Sequence, residues 1–218
     1  MKSILRSIFY MPGVIAHEFS HHIFCIIFNA KVIDVCYYNF KESSGYVIHN
    51  RPKHLYQNIV ISTAPFFFNS FLGALVSYSS IIKKLSISGL VSFNWQDVLR
   101  LIISISIGMN AIPSKSDGLN IWNFIVDSDI NLLWKIFTKL LISPLVILVL
   151  LVNFGSSYLK IDLFYGIFVC FVGPLLIDYA LNINSFNIEV LFIFGFLISL
   201  AHISVGNKIK NIYKSIIF

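Results

Sequence analysis

His17-Glu18-Phe19-Ser20-His21 sets two imidazoles four residues apart, with a carboxylate beside the first. On a helix, residues at that spacing share one face, so His17 and His21 can grip a single metal ion while Glu18 stands next to it as a base. A catalytic zinc ion takes three protein ligands and leaves the fourth position to water, whose pKa falls to about 7. A neighbouring carboxylate can then take the water's proton and pass it to a leaving amine. Glu18 occupies the position that role demands.

The motif lies inside an otherwise apolar run, Pro12 to Ala30. Titratable groups at such depth (His17, Glu18, His21, His22) are costly, and a bound cation is a reason to keep them. His22 sits about 100° round the helix from His21, so it is expected to hydrogen-bond a neighbour. The third ligand must come from downstream. The candidates are Asp34, His49, His54, Asp97, Asp117, Asp127, Asp129, Asp162, Asp178, Glu189 and His202. Most fall in loops or at the ends of apolar stretches, where a solvated group needs no explanation. Asp117 differs, because it lies in a broken-helix segment, Asn110 to Gly118, directly after an apolar stretch; irregular backbone at membrane depth is tolerated where it lines a polar cavity.

The elements that position these groups are read as membrane helices. Of 218 residues, 57% are hydrophobic and 12% charged, with a mean hydropathy of +0.81. A soluble domain carries about 25% charged residues. Stretches near 12–30, 57–82, 98–113, 132–153, 161–181 and 186–205 approach the roughly 20 residues a crossing needs. The expected fold is therefore an all-α membrane protein of about six transmembrane helices. Pro12 predicts the start of the motif helix, which ends near Asn29 and is about 27 Å long.

Between the first two stretches, Val32 to Tyr38 and Tyr46 to Ile48 flank the turn Lys41-Glu42-Ser43-Ser44-Gly45, which predicts a β-hairpin. Its open edges require it to lie at the membrane interface or against the protein. A short helix over Leu119 to Val126, capped by Ser116 or Asp117, follows the broken segment. Asn69 is read as interhelical hydrogen bonding, and Asp178 as a residue at a span end.

The formal charge of +6 comes mostly from basic residues at the ends of apolar runs, which anchor at headgroups. No basic and aromatic stripe supports nucleic-acid binding. Cys25, Cys36 and Cys170 form no zinc or redox spacing and predict no disulfide.

His17-Glu18-x-x-His21 in the first membrane helix, with Asn110-x-x-Pro113-x-x-x-Asp117-Gly118 after a later one, resembles the site-2 protease family of intramembrane zinc metalloproteases. Ala64-Pro65-Phe66-Phe67-Phe68-Asn69 loosely resembles that family's Gly-Pro-x-x-Asn segment. The likeness covers roughly residues 12–118. It departs from the family pattern in the shorter Pro113–Asp117 spacing, the missing second proline, Lys115 and the longer Pro65–Asn69 spacing. The resemblance implies a divergent, minimal member: a single integral membrane metalloprotease domain over 1–218. Its catalytic part would span about 12–130, with further transmembrane helices over about 131–206. It implies Zn2+ held by His17, His21 and Asp117, Glu18 as catalytic base, a membrane-embedded or membrane-adjacent protein or peptide as substrate, and a multi-pass location in the cell membrane. The hairpin is similar to one that members place beside the active site, where it is thought to present substrate as an added strand. Two alternatives stand beside this reading. One is a CaaX-type membrane zinc protease, which needs a Glu-x-x-x-Asp context that Glu189 lacks, Ile193 being four residues on. The other is a non-proteolytic metal-binding protein or transporter.

Overall fold

The computed structural model describes residues 2–85, 94–129 and 131–181, and within them the chain is mostly helical. The order is α1 (Lys2–Ile27), β1 (Val32–Asn39), β2 (Ser44–His49), α2 (Leu55–Leu85), α3 (Trp95–Met109), α4 (Lys115–Val126), α5 (Leu132–Leu159) and α6 (Ile161–Leu181). The apolar stretch 186–205, with Glu189 and His202, lies outside the described residues.

α1 does not start at Pro12 as the sequence predicts but at Lys2, running through the proline. A proline inside a helix disturbs the bonding of the preceding turn, and here neighbouring helices supply partners at the break. Gly13 N–H donates to Ser106 Oγ of α3 at 3.1 Å, and the Gly13 carbonyl accepts from Asn69 Nδ2 of α2 at 3.3 Å. A Cβ on Gly13 would collide with the Ser106 carbonyl and the Asn110 side chain. Glycine is what lets α3 approach α1 this closely.

Among the described residues, three helices are long and apolar enough to cross a membrane: α2 over Leu55–Ile82, α5, and α6 over Ile161–Ala180. The expectation of about six crossings is met for these three. α1 has the length, but the polar residues of its motif lower its apolarity. At 15 residues α3 is about 22 Å long, short of a ~30 Å hydrocarbon core. Half of α2's most apolar stretch is buried, against 11% for α5, so α2 forms the interior and α5 turns its side chains outward.

α2 touches α1, α3, α4 and α6. Its buried contacts rely on small and hydroxylated residues: Ser77 Oγ donates to the Cys170 carbonyl at 2.8 Å, and Ser104 Oγ to the Gly73 carbonyl at 2.7 Å. Close approach through small residues with interhelical hydrogen bonds is how helices associate in an apolar solvent. Asp178 has more than a span-end role, because Tyr78 Oη donates to its Oδ1 at 2.6 Å and ties α6 to α2. All three cysteines are free, as expected.

The predicted hairpin forms. β1 and β2 pair antiparallel, with Val32 opposite His49 and Cys36 opposite Tyr46. It lies along α1: Tyr38 Oη donates to the Ser7 carbonyl at 2.6 Å, and Tyr37 Oη shares a 2.6 Å hydrogen bond with His22 Nδ1. His22 therefore has the structural partner its position on the helix predicted.

Candidate metal centre

One turn of α1 aims His17 and His21 at the same point. His17 Nδ1 donates to the Asn110 carbonyl at the C-terminal end of α3, and His21 Nδ1 to the Ile61 carbonyl of α2, each at 2.7 Å. A carbonyl has no proton to give, so Nδ1 carries the hydrogen on both neutral rings and Nε2 carries the lone pair. The two Nε2 atoms lie 3.2 Å apart. The carboxylate of Asp117 meets them, with Oδ1 3.3 Å from His21 Nε2 and Oδ2 3.6 Å from His17 Nε2.

Three acceptors facing one another repel unless a cation lies between them. His17, His21 and Asp117 are 8%, 7% and 8% exposed, so water relieves little of that repulsion. Ligands about 2.0–2.1 Å from a shared tetrahedral ion stand about 3.3–3.4 Å apart. The His17–His21 and His21–Asp117 Oδ1 separations, 3.2 and 3.3 Å, lie close to that edge length, and the 3.6 Å contact to His17 is made by the other carboxylate oxygen, Oδ2. The group can therefore hold a metal ion.

Asp117 is placed by the start of α4. The sequence puts the cap of this helix at Ser116 or Asp117 and its start at Leu119; instead Ser114 is the cap and the helix begins at Lys115. Ser-x-x-Asp closes a capping box because the third helical residue can reach back to the cap's backbone. The Ser114 N–H and Oγ–H both donate to Asp117 Oδ2, at 2.7 and 2.6 Å. Capping and metal binding are thus compatible roles for one carboxylate. The cap fixes Oδ2 and turns Oδ1 toward His21, which is how outer hydrogen bonds orient a ligand.

Asn69, read from sequence as interhelical hydrogen bonding, is fully buried and gathers the same corner. Its Nδ2 donates to the carbonyls of Gly13, Ile107 and Asn110 at 3.3, 3.4 and 3.0 Å. The Asn110 carbonyl thus accepts from both Asn69 and His17. Turning the amide over would set Oδ1 against three carbonyl oxygens, so the orientation is fixed even though, among the described residues, Oδ1 is left without a donor. Ser114 and the Ile61 carbonyl were missed from sequence. The Ser114-x-x-Asp117 spacing was a legible signal for the first, but no local signal marks a backbone carbonyl 40 residues from its histidine.

Glu18 is half-buried and lines, with the three candidate ligands, a cleft of about 580 Å³. β2 forms one wall. A Cβ on Gly45 would lie 2.5 Å from Glu18 Cγ and 2.7 Å from the Tyr37 carbonyl, so glycine permits the strand to pass directly against the glutamate.

Of the other candidates, His49 and Asp162 line this cleft without belonging to the three-residue group. Asp34 accepts from Tyr46 Oη at 2.9 Å, Asp97 closes the capping box of α3, and His54 stacks on Tyr56. Asp127 is the C-cap of α4, Asp129 is exposed, and Asp178 is held by Tyr78. Among the described residues, the structure brings together only His17, His21 and Asp117 as a possible metal-binding group. Comparison with protein-family models, with curated proteins and with solved structures returned no match for this chain.

Proposed function

We propose that the protein is an integral membrane zinc endopeptidase, hydrolysing a peptide bond in a membrane-embedded or membrane-adjacent polypeptide. The observation that carries this reading is the convergence of the His17 and His21 Nε2 atoms with the Asp117 carboxylate as a group that could hold one metal ion, with Glu18 lining the same cleft. Two imidazole nitrogens and one carboxylate oxygen suit zinc, and three ligands leave one position open for water. Zinc bound there would bring that water's pKa to about 7 and polarise the scissile carbonyl.

The chain's own groups do the rest. Glu18 accepts the water's proton and returns it to the leaving amine. Asn110, Ile61 and Ser114 hold the ligands in orientation through the hydrogen bonds described above. The cleft gives water and substrate a polar route into an otherwise apolar bundle. β2 lies over Glu18 and presents backbone groups to which an unwound substrate segment can add as a strand. Unwinding matters because an intact helix keeps its peptide bonds hydrogen-bonded internally. α1 runs beside α2 as a fourth crossing, with its polar residues turned into the bundle.

Glu18→Gln tests the mechanism. The variant should keep stoichiometric zinc and lose about 10²- to 10⁴-fold in cleavage of a membrane peptide. Cleavage at the parent rate would rule out Glu18 as the base.

A further inference from the structure

The cleft extends beyond the metal centre to the turn between α5 and α6, where Ser156 and Asp162 line it. Asp162 Oδ1 and Ser156 Oγ are buried atoms, and among the described residues no hydrogen-bond partner reaches either. Buried polar atoms are almost always paired, so two unpaired ones in one cleft call for an explanation. Asn153, one turn earlier on α5, does not supply it: its amide is committed to the carbonyls of Pro113 and Val149, both at 2.8 Å.

Asp162 also departs from the other first-turn aspartates. Asp97 and Asp117 each turn back and accept the backbone N–H of their helix cap. Asp162, in the first turn of α6, closes no such box. Among the described residues no lysine, arginine or histidine nitrogen lies within 4.0 Å of it; the ion pairs found there join Asp117 to the two histidines. Asp162 thus lines the cleft while one of its carboxylate oxygens has, among the described residues, neither a capping partner nor a cation.

Position says what would complement it. α5 and α6 are both apolar enough to cross a membrane and are joined by Lys160 alone, which puts their junction at the bilayer surface. A membrane-spanning polypeptide carries lysine and arginine at that same level, flanking its apolar stretch. We propose that Asp162 and Ser156 form a subsite for a basic side chain that flanks the apolar segment of the substrate. Asp162 accepts the charged hydrogen bond and Ser156 Oγ accepts a second. This rests on the peptidase reading for the nature of the ligand.

Binding, measured apart from cleavage, separates the two proposals. The full-length protein in phospholipid nanodiscs is titrated with fluorescent single-span peptides. Each carries one lysine, or norleucine in its place, at successive positions flanking the span. At one register the lysine peptide should bind about tenfold tighter than its norleucine partner. Asp162→Asn should reduce that ratio to about one at unchanged metal content, and Asp162→Lys should reverse it in favour of a glutamate peptide. A parent protein that never distinguishes lysine from norleucine, or a preference that survives Asp162→Asn, overturns the subsite. Lysine-dependent binding that obeys Asp162 without any cleavage would leave the subsite standing and overturn the peptidase. Cleavage indifferent to lysine and to Asp162 would do the opposite.

Discussion

α1 and α5 are nearly equal in length, 26 and 28 residues, yet only α5 qualifies as a membrane span by length and apolarity. α5 faces outward with large apolar side chains, Leu140 and Leu148 being 72% and 57% exposed. α1 buries His17, Ser20, His21 and His22, each with a hydrogen-bond partner among those named above or its own helix. Apolarity along a sequence reports what a helix shows to lipid, whereas chemistry sits on the face it hides. Of these two helices, the one that looks less like a span is therefore the one that carries both histidines.

This division can be broken experimentally. The largest effect belongs to the ligands: His21→Ala and Asp117→Ala should each lose stoichiometric metal, read by elemental analysis of the purified protein. Full retention by the aspartate variant would move the third ligand elsewhere. Ser114→Ala removes one of the two hydrogen bonds holding Asp117 Oδ2 and should weaken metal binding about 10- to 100-fold in competition with a chelator. An unchanged affinity would reduce the capping box to a helix-stabilising role alone. Asn69→Ala takes a shared donor from three buried carbonyls and should lower stability by about 1–3 kcal/mol, visible as earlier thermal unfolding in detergent. Leu148→Ala, on the outward face of α5, should change stability by less than about 0.5 kcal/mol and leave metal affinity alone. A loss of metal there comparable to that of Ser114→Ala would mean the two regions are not separate.

Local features were legible because their causes are local. Period 3.6 put His17 and His21 on one face, alternation and turn residues marked the hairpin, and His22 was read as a hydrogen-bonding residue from its angle on the helix alone. Where the reading slipped, a distant partner had changed a local preference. Pro12 does not open α1: the helix runs through it, and Ser106 and Asn69 hydrogen-bond to Gly13 just beyond it. α4 starts early, because Ser114 and Asp117 satisfy each other.

By itself the sequence determined that two imidazoles share a helix turn within a largely apolar chain, and that a carboxylate stands beside them. Those facts follow from spacing and side-chain chemistry, which do not depend on what packs nearby. The broken segment and the family resemblance singled out Asp117 among the downstream groups, but only the tertiary structure decided that its carboxylate meets the histidines, and which carbonyls fix their tautomers. Asn110 is 93 residues from His17, and a contact across that distance is set by how closely whole helices approach. Here the approach rests on a glycine in α1, a buried amide in α2 and the cap of α4.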